Sequence, residues 1–113
     1  MALSITTKMS QDGKVATLDL VGEIDSLTAR EFKKELEAAF VESEKLGTLK
    51  YLVLNLEGLE FMSSAGLRVF IFANQTKPDL NIHVIKPQEA ILDALEKTGL
   101  MHSVKIVSEN PES

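Results

Sequence analysis

YLVLNLEGLEFMSSAGLRVFIFANQ, residues 51–75, joins a continuously apolar run to an acidic turn and then to a second, longer apolar segment. Residues 51–56 are predicted to form a buried strand, of the kind found in the middle of a sheet with parallel neighbours. Gly58 marks the turn, and either Ser63 or Ser64 is expected to cap the helix that follows. The inward face of this helix is predicted to carry Leu67, Phe70, Ile71 and Asn74.

Two strands are predicted before this stretch. Residues 3–9 and residues 15–21 both alternate along the chain, which is the pattern of half-buried strands. The sequence QDGK at residues 11–14 has the composition of a tight turn. The sequence therefore predicts a hairpin in which Leu18 and Leu20 point into the core.

A helix is predicted between this hairpin and residue 47. Thr28 and Glu31 have the spacing of a capping box, which would start the helix at that point. Gly47 is expected to end it, directly after Leu46. Three apolar residues at spacings of four form its predicted inner face: Phe32, Leu36 and Phe40.

A strand, a helix and a last strand are predicted after the opening stretch, at residues 81–85, 88–98 and 104–107. Gly99 stands where a left-handed residue commonly ends a helix, and Leu100 follows as its apolar contact. The element order β-β-α-β-α-β-α-β predicts one α/β domain, with a mixed sheet of about four to five strands flanked by helices. The domain is assigned to residues 1–108 and a polar tail to residues 109–113.

Composition narrows the possible partners. The chain has 113 residues and a formal net charge of −5, with no run of Lys and Arg to offset it. Nucleic acid and anionic membranes are therefore not expected to bind. Cysteine is absent, which excludes disulfides and thiolate metal sites. The sequence lacks the pattern of a signal peptide or a membrane span, so a cytoplasmic protein is expected.

The serine pair permits two interpretations. Serine is a preferred residue at helix N-termini, so Ser63 or Ser64 could serve only as a cap. Alternatively, a serine here could be phosphorylated, because the free N–H groups and the dipole of a helix N-terminus tolerate a phosphate. Gly66 would let another backbone approach the hydroxyl closely, either for docking or for internal packing. Phe70 and Phe72 cannot share one helix face, so one of them is expected outside the core.

Other polar residues give weaker signals. Glu23 and Asp25 could form a pair for acid–base chemistry, but a loop carboxylate that binds helix-starting N–H groups is the favoured interpretation. His83 and His102 are too far apart in the pattern to suggest a metal pair or a catalytic triad. No phosphate-cradling glycine motif is present, which disfavours a nucleotide-hydrolysing domain. Neither a metal nor a cofactor is expected.

Three segments resemble STAS domains, and among these the bacterial anti-sigma factor antagonists. They are LVGEID with the following Thr28-Ala29, LVLNLEGLEFMSSAGL, and IKPQEAILDALEKTGLMHSVKI. The resemblance covers nearly the whole chain and implies a mixed sheet flanked by helices. It also implies that the protein is not an enzyme.

The resemblance further implies a phosphorylation switch. In such proteins the unphosphorylated form binds a partner that is both an anti-sigma factor and a serine kinase, which frees the sigma factor. The pattern F-M-x-S-x-G-L places the phosphorylated serine at Ser64, and Ser63 is a second candidate because it occupies a position where many members have aspartate. The kinase would supply ATP, magnesium and the catalytic base. Residues expected at the docking surface are Glu23, Asp25, Met62, Ser63, Gly66 and Arg68.

A non-switching scaffold remains the alternative. In a stressosome-like or transport-associated complex the same face would bind a partner permanently, and Ser64 would only start the helix. The aspartate replaced by Ser63 and the short segment at residues 75–81 are the departures from the family pattern that leave this alternative open.

Overall fold

The first two strands of the computed structural model, which describes residues 3–107, form the predicted hairpin. Strands β1 (Leu3–Met9) and β2 (Val15–Ile24) pair antiparallel. Gly13 takes the left-handed φ of 73° that the tight turn requires. Leu18 and Leu20 are both fully buried, as predicted. The domain boundary assigned at residue 108 and the tail at 109–113 lie outside the described residues.

Parallel strands extend the sheet from β2. Strand β3 (Tyr51–Asn55) lies parallel to β2, and β3 is followed across the sheet by β5 (Asn81–Ile85) and then β6 (Lys105–Val107). The remaining strand, β4, spans Leu59–Met62. With one antiparallel edge and parallel pairs elsewhere, the sheet is mixed, which confirms the predicted architecture.

Strand β4 was not predicted from the sequence. It pairs parallel with the end of β2, after a shift of register between Gly22 and Glu23. Gly22 pairs with Leu3 on one side and with Leu59 on the other, so β4 continues the position of β3 along β2. The strand has four residues, of which two adjacent ones are exposed, and therefore lacks the alternation by which a strand is recognised.

Within residues 3–107, three helices accompany the sheet, and their ends follow from local chemistry. They are α1 (Thr28–Leu46), α2 (Ser64–Thr76) and α3 (Glu89–Lys97), with a 3-10 turn at Leu100–His102. Helix α1 ends where the Gly47 N–H donates to the carbonyl of Ser43 at 2.8 Å. After α3, Gly99 takes the predicted left-handed conformation, with φ of 77°, and Leu100 is buried.

The capping box predicted for α1 is wrong. The N-cap position is Leu27, which makes no side-chain cap bond. Asp25 takes this role instead: its carboxylate accepts the backbone N–H groups of Leu27 and Thr28. Aspartate is an acceptor as effective as threonine at a helix start, and here the chain bends so that the aspartate reaches the free N–H groups.

The predicted inner face of α2 is also mostly wrong. Phe70 is buried as expected, but Ile71 is 41% exposed and Leu67 is only partly buried. The residues that the helix buries are Gly66, Val69, Phe70 and Ala73. The cause is the close packing of Gly66, in the first turn, against Ile24 and Met62. This packing turns the Gly66 side of the helix toward the strands.

One core cluster joins the helices to one face of the sheet. Its strand members alternate along the chain, as Ala16, Leu18 and Leu20 do in β2, so they belong to a single face. Phe32 of α1 and Phe70 of α2 meet in this core with ring centroids 5.9 Å apart, in an edge-to-face arrangement. This contact fixes the two helices side by side, with their N-termini near the ends of β2 and β4.

Candidate functional site

The end of β2 and the start of α2 lie side by side. Ile24 pairs with Met62 across the β2–β4 ladder, and the Ser63 N–H donates to the carbonyl of Ile24 at 2.8 Å. These bonds bring the predicted segments around residues 23–25 and 62–64 together. The resulting corner, at the N-terminus of α2, is called the serine turn below and comprises residues 62–66.

The two serines have different surroundings. Ser63 is the N-cap of α2: its backbone is extended, and its hydroxyl oxygen accepts the Gly66 N–H at 3.4 Å. Ser64 is the first helical residue and is exposed. Its hydroxyl forms no hydrogen bond with any residue from Leu3 to Val107. Ser63 therefore caps the helix, and the hydroxyl of Ser64 stabilises no contact within the described residues.

Asp25 is a structural carboxylate. It accepts the Thr28 N–H at 2.8 Å and the Leu27 N–H at 2.9 Å, and the Thr28 hydroxyl lies 3.1 Å away. These bonds, from the Thr28 N–H first and its hydroxyl second, lower the pKa of Asp25 below its ordinary value. The favoured interpretation, a loop carboxylate that binds helix-starting N–H groups, is confirmed. Glu23 lies half-buried beside it, and its carbonyl accepts the Thr28 hydroxyl at 3.0 Å.

Met62 and Gly66 lie inside the serine turn rather than on its surface. A Cβ atom on Gly66 would lie 2.7 Å from Cγ of Met62 and 2.8 Å from Cγ2 of Ile24. The close-packing interpretation of Gly66 is therefore confirmed. Of the six residues expected at the docking surface, these two present no side chain to a partner, whereas Arg68 is exposed one helical turn after Ser64.

Two exposed apolar residues near the serine turn were missed by the sequence reasoning. Phe61 is 48% exposed in β4, and Leu27 is 72% exposed at the start of α1. Phe70 is in the core and Phe72 is half-buried, so the phenylalanine outside the core closest in sequence to the serines is Phe61. Its position two residues before Ser63 was the one sequence signal that could have found it.

Comparison with known proteins identifies the family. Residues 6–112 match the sequence profile of the STAS domain. The chain belongs to the STAS domain family.

Solved structures of similar fold include anti-sigma factor antagonists. The unphosphorylated form of SpoIIAA has a TM-score of 0.71 at 14% identity, covering 96% of this chain and 92% of that one. An anti-sigma factor antagonist from Mycobacterium paratuberculosis has a TM-score of 0.70 at 22% identity, covering 96% and 90%. Phosphorylated SpoIIAA from Bacillus has a TM-score of 0.69 at 17% identity, covering 94% and 93%. At these identities the likeness establishes the fold.

Among residues 3–107, no group of three or more His, Cys, Asp or Glu side chains is arranged to hold a metal ion. His83 lies in β5 and His102 in the 3-10 turn that precedes β6. Within the same span, no helix has the length and apolar character needed to cross a bilayer.

Proposed function

We propose that this STAS domain is an anti-sigma factor antagonist switched by phosphorylation at Ser64. In the unphosphorylated form it binds a partner that is both an anti-sigma factor and a serine kinase, and the sigma factor is released. The observation that carries the proposal is the division of roles in the serine turn. Ser63 caps the helix, so the exposed hydroxyl of Ser64 is available to a kinase without loss of the cap.

The phosphoryl transfer requires only a hydroxyl from this chain. The Ser64 oxygen would attack the γ-phosphorus of ATP as the bond to ADP breaks, and a base of the kinase would take the hydroxyl proton. The product would stand at the N-terminus of α2, where the helix dipole and the free N–H groups favour negative charge. The fold would therefore tolerate the phosphate, and its effect would fall on the partner.

The docking surface is proposed to surround Ser64. Glu23, Asp25, Ser63 and Arg68 line its exposed or half-exposed part, while Met62 and Gly66 support it from beneath. A phosphate adds a charge of roughly −1.5 to −2 near neutral pH. Next to Glu23 and Asp25 it would make the surface much more negative, which would end binding to a partner that fits the unphosphorylated surface. The proposed location is the cytoplasm, since the kinase would require ATP.

Phosphorylation and binding can be tested together. The chain is incubated with ATP and a serine kinase of the anti-sigma factor type, and the phosphate is mapped by mass spectrometry. Ser64 is expected to carry it, and Ser64→Asp is expected to abolish binding to the kinase in a pull-down or by calorimetry. Ser64→Ala should bind as the wild type does, and circular dichroism should show both variants folded.

Two results would contradict the switch. Tight binding retained by folded Ser64→Asp would mean that negative charge at this position does not release the partner. Absence of phosphate from both Ser64 and Ser63, with tight association that ATP does not affect, would favour the non-switching scaffold. Phosphate on Ser63 alone would move the acceptor to the second candidate.

A further inference from the structure

A groove of about 280 Å³ lies between the first turns of α1 and α2, beside the serine turn. Its floor is apolar and its rim is basic. The floor is formed mainly by aliphatic or aromatic side chains: Ala65, Val69 and Phe72. The rim is formed by three exposed cations that the two helices bring together: Arg30, Lys33 and Arg68.

The basic rim has no counter-ion in the described part of the chain. None of its three cations forms an ion pair there, and no carboxylate lines the groove. The Lys33 ammonium is instead held over the Phe72 ring, 4.6 Å from its centroid. This concentration of positive charge occurs in a chain with 17 acidic and 12 basic residues. The three rim cations repel one another, and an anionic ligand in the groove would offset this repulsion.

The charge pattern changes farther along the two helices. Beyond Phe72, the adjoining depression is lined by Glu37 and Glu44, and Glu44 pairs with Lys77 at 2.7 Å. The basic part of the groove is therefore bounded, and its open end faces the serine turn. A ligand that fits it must carry negative charge opposite the three rim cations and apolar groups for the floor.

We propose that this groove binds an acidic amphipathic helix of a protein partner. A groove between two helices accepts a third helix, whose apolar residues at every third or fourth position would contact the floor. Carboxylates flanking those residues would pair with the basic rim. A small inorganic anion would leave the apolar floor unused, and an anionic membrane would be repelled by the net charge of −5.

The groove proposal extends the proposed function. Regulation of the groove by phosphorylation rests on that function. Arg68 lies four residues after Ser64, so the two side chains are neighbours on one face of α2. A phosphate on Ser64 would attract Arg68 and repel the carboxylates of the partner helix. Phosphorylation would thus remove one cation from the rim and add a like charge at its open end.

Binding can be measured with a designed peptide as the probe. A stapled helical peptide carries leucine at every third or fourth position and glutamate at the flanking positions, and a matched peptide carries lysine in place of each glutamate. Only the glutamate peptide is expected to shift the amide NMR signals of Ala29, Ala65 and Phe72. Equal response to both peptides, or response to neither, would overturn the proposal. Binding of phosphatidylserine vesicles without a response to the glutamate peptide would overturn it too.

Charge reversal locates the contact. Arg68→Glu is expected to lower the affinity for the glutamate peptide about fivefold, which corresponds to the loss of one exposed ion pair. Lys34→Glu makes the same change in net charge on α1 but lies outside the groove, so its effect should stay below about twofold. Equal weakening by the two variants would overturn the groove, since it would reflect net charge alone.

A second arm separates this inference from the switch. Ser64→Asp is expected to lower the affinity for the glutamate peptide. An unchanged affinity would overturn the coupling between phosphorylation and the groove. If the kinase leaves Ser64 unmodified while the glutamate peptide binds and Arg68→Glu lowers its affinity, the groove proposal stands and the proposed function fails. If Ser64 is phosphorylated while the peptide does not bind, the switch stands and the groove proposal fails.

Discussion

The two hydroxyls at the start of α2 differ in what holds them. The Ser63 hydroxyl accepts a backbone N–H of the first turn, although the distance of 3.4 Å is long for such a bond. The Ser64 side chain projects from the helix and has no hydrogen-bond partner within residues 3–107. Adjacent residues of the same type can therefore contribute differently to stability, because only one reaches a free N–H group.

Alanine substitutions measure this difference. Ser63→Ala is expected to lower the free energy of unfolding by about 0.5–1 kcal/mol, the lower part of the range for a lost N-cap, since the bond is long. Ser64→Ala should change it by less than about 0.5 kcal/mol, as for an exposed site without special contacts. Urea denaturation of both variants gives the two values. A larger loss for Ser64→Ala would mean that Ser64 is the cap.

At the scale of elements, one close approach sets the orientation of α2. Gly66 packs against Ile24 of β2 and Met62 of β4, which are both buried. The absence of a side chain lets the first turn of the helix contact the strands directly. That contact orients Ser64 and Arg68 outward together, so the geometry of the proposed site depends on it.

Gly66→Ala tests this packing. Alanine favours a helix over glycine by about 1 kcal/mol, but its Cβ would lie within 3.0 Å of two buried side chains. Overpacking typically costs about 1–3 kcal/mol, and the branched Ile24 cannot easily move aside. We expect a net loss of up to about 2 kcal/mol in the free energy of unfolding, measured by denaturation.

Gly58→Ala is the matched control for that substitution. The nearest atom to its added Cβ would be Cγ2 of Val21, at 3.0 Å, and Val21 is 53% exposed, so its side chain has room to shift toward solvent, unlike buried Ile24. A small effect is expected there. Stabilisation by Gly66→Ala would contradict the packing described for the serine turn.

At the scale of the whole molecule, a histidine in the sheet is expected to make stability depend on pH. His83 lies in β5 with its ring 5.3 Å from that of Tyr51, edge to face. Its Nδ1 is buried without a hydrogen-bond partner in the described chain, and Lys105 of β6 lies opposite His83 in the β5–β6 ladder. Burial, and then the charge of Lys105, lower the pKa of His83 below 6.5. The folded protein therefore disfavours the charged imidazole.

Stability is expected to fall as the pH is lowered from 7 to 5. The unfolded chain takes up the proton near pH 6.5, whereas folded His83 does so only at lower pH. The unfolded state then binds more protons, which makes the free energy of unfolding decrease with falling pH. His83→Phe keeps a ring against Tyr51 and should flatten this part of the curve. His102→Gln removes the other histidine, which is exposed, and should leave the slope in place.

The sequence by itself determined the features that depend on neighbouring residues. Alternation and the QDGK turn predicted the hairpin, and Gly99 predicted the left-handed end of α3. The buried run at residues 51–56 predicted the central strand, and the motif segments predicted the family. Each of these signals lies within a few residues of the structure that it specifies, so no distant contact is needed to interpret it.

Tertiary structure decided the features that depend on segments distant in sequence. Strand β4 exists because its four residues meet the end of β2, and α2 takes its rotation from Gly66 against Ile24. Asp25 rather than Thr28 caps α1 because the chain bends there. The basic groove forms only where α1 and α2 pack together, through the contact of Phe32 with Phe70. Residue types are fixed locally, but the surface that they share is fixed by packing between distant segments.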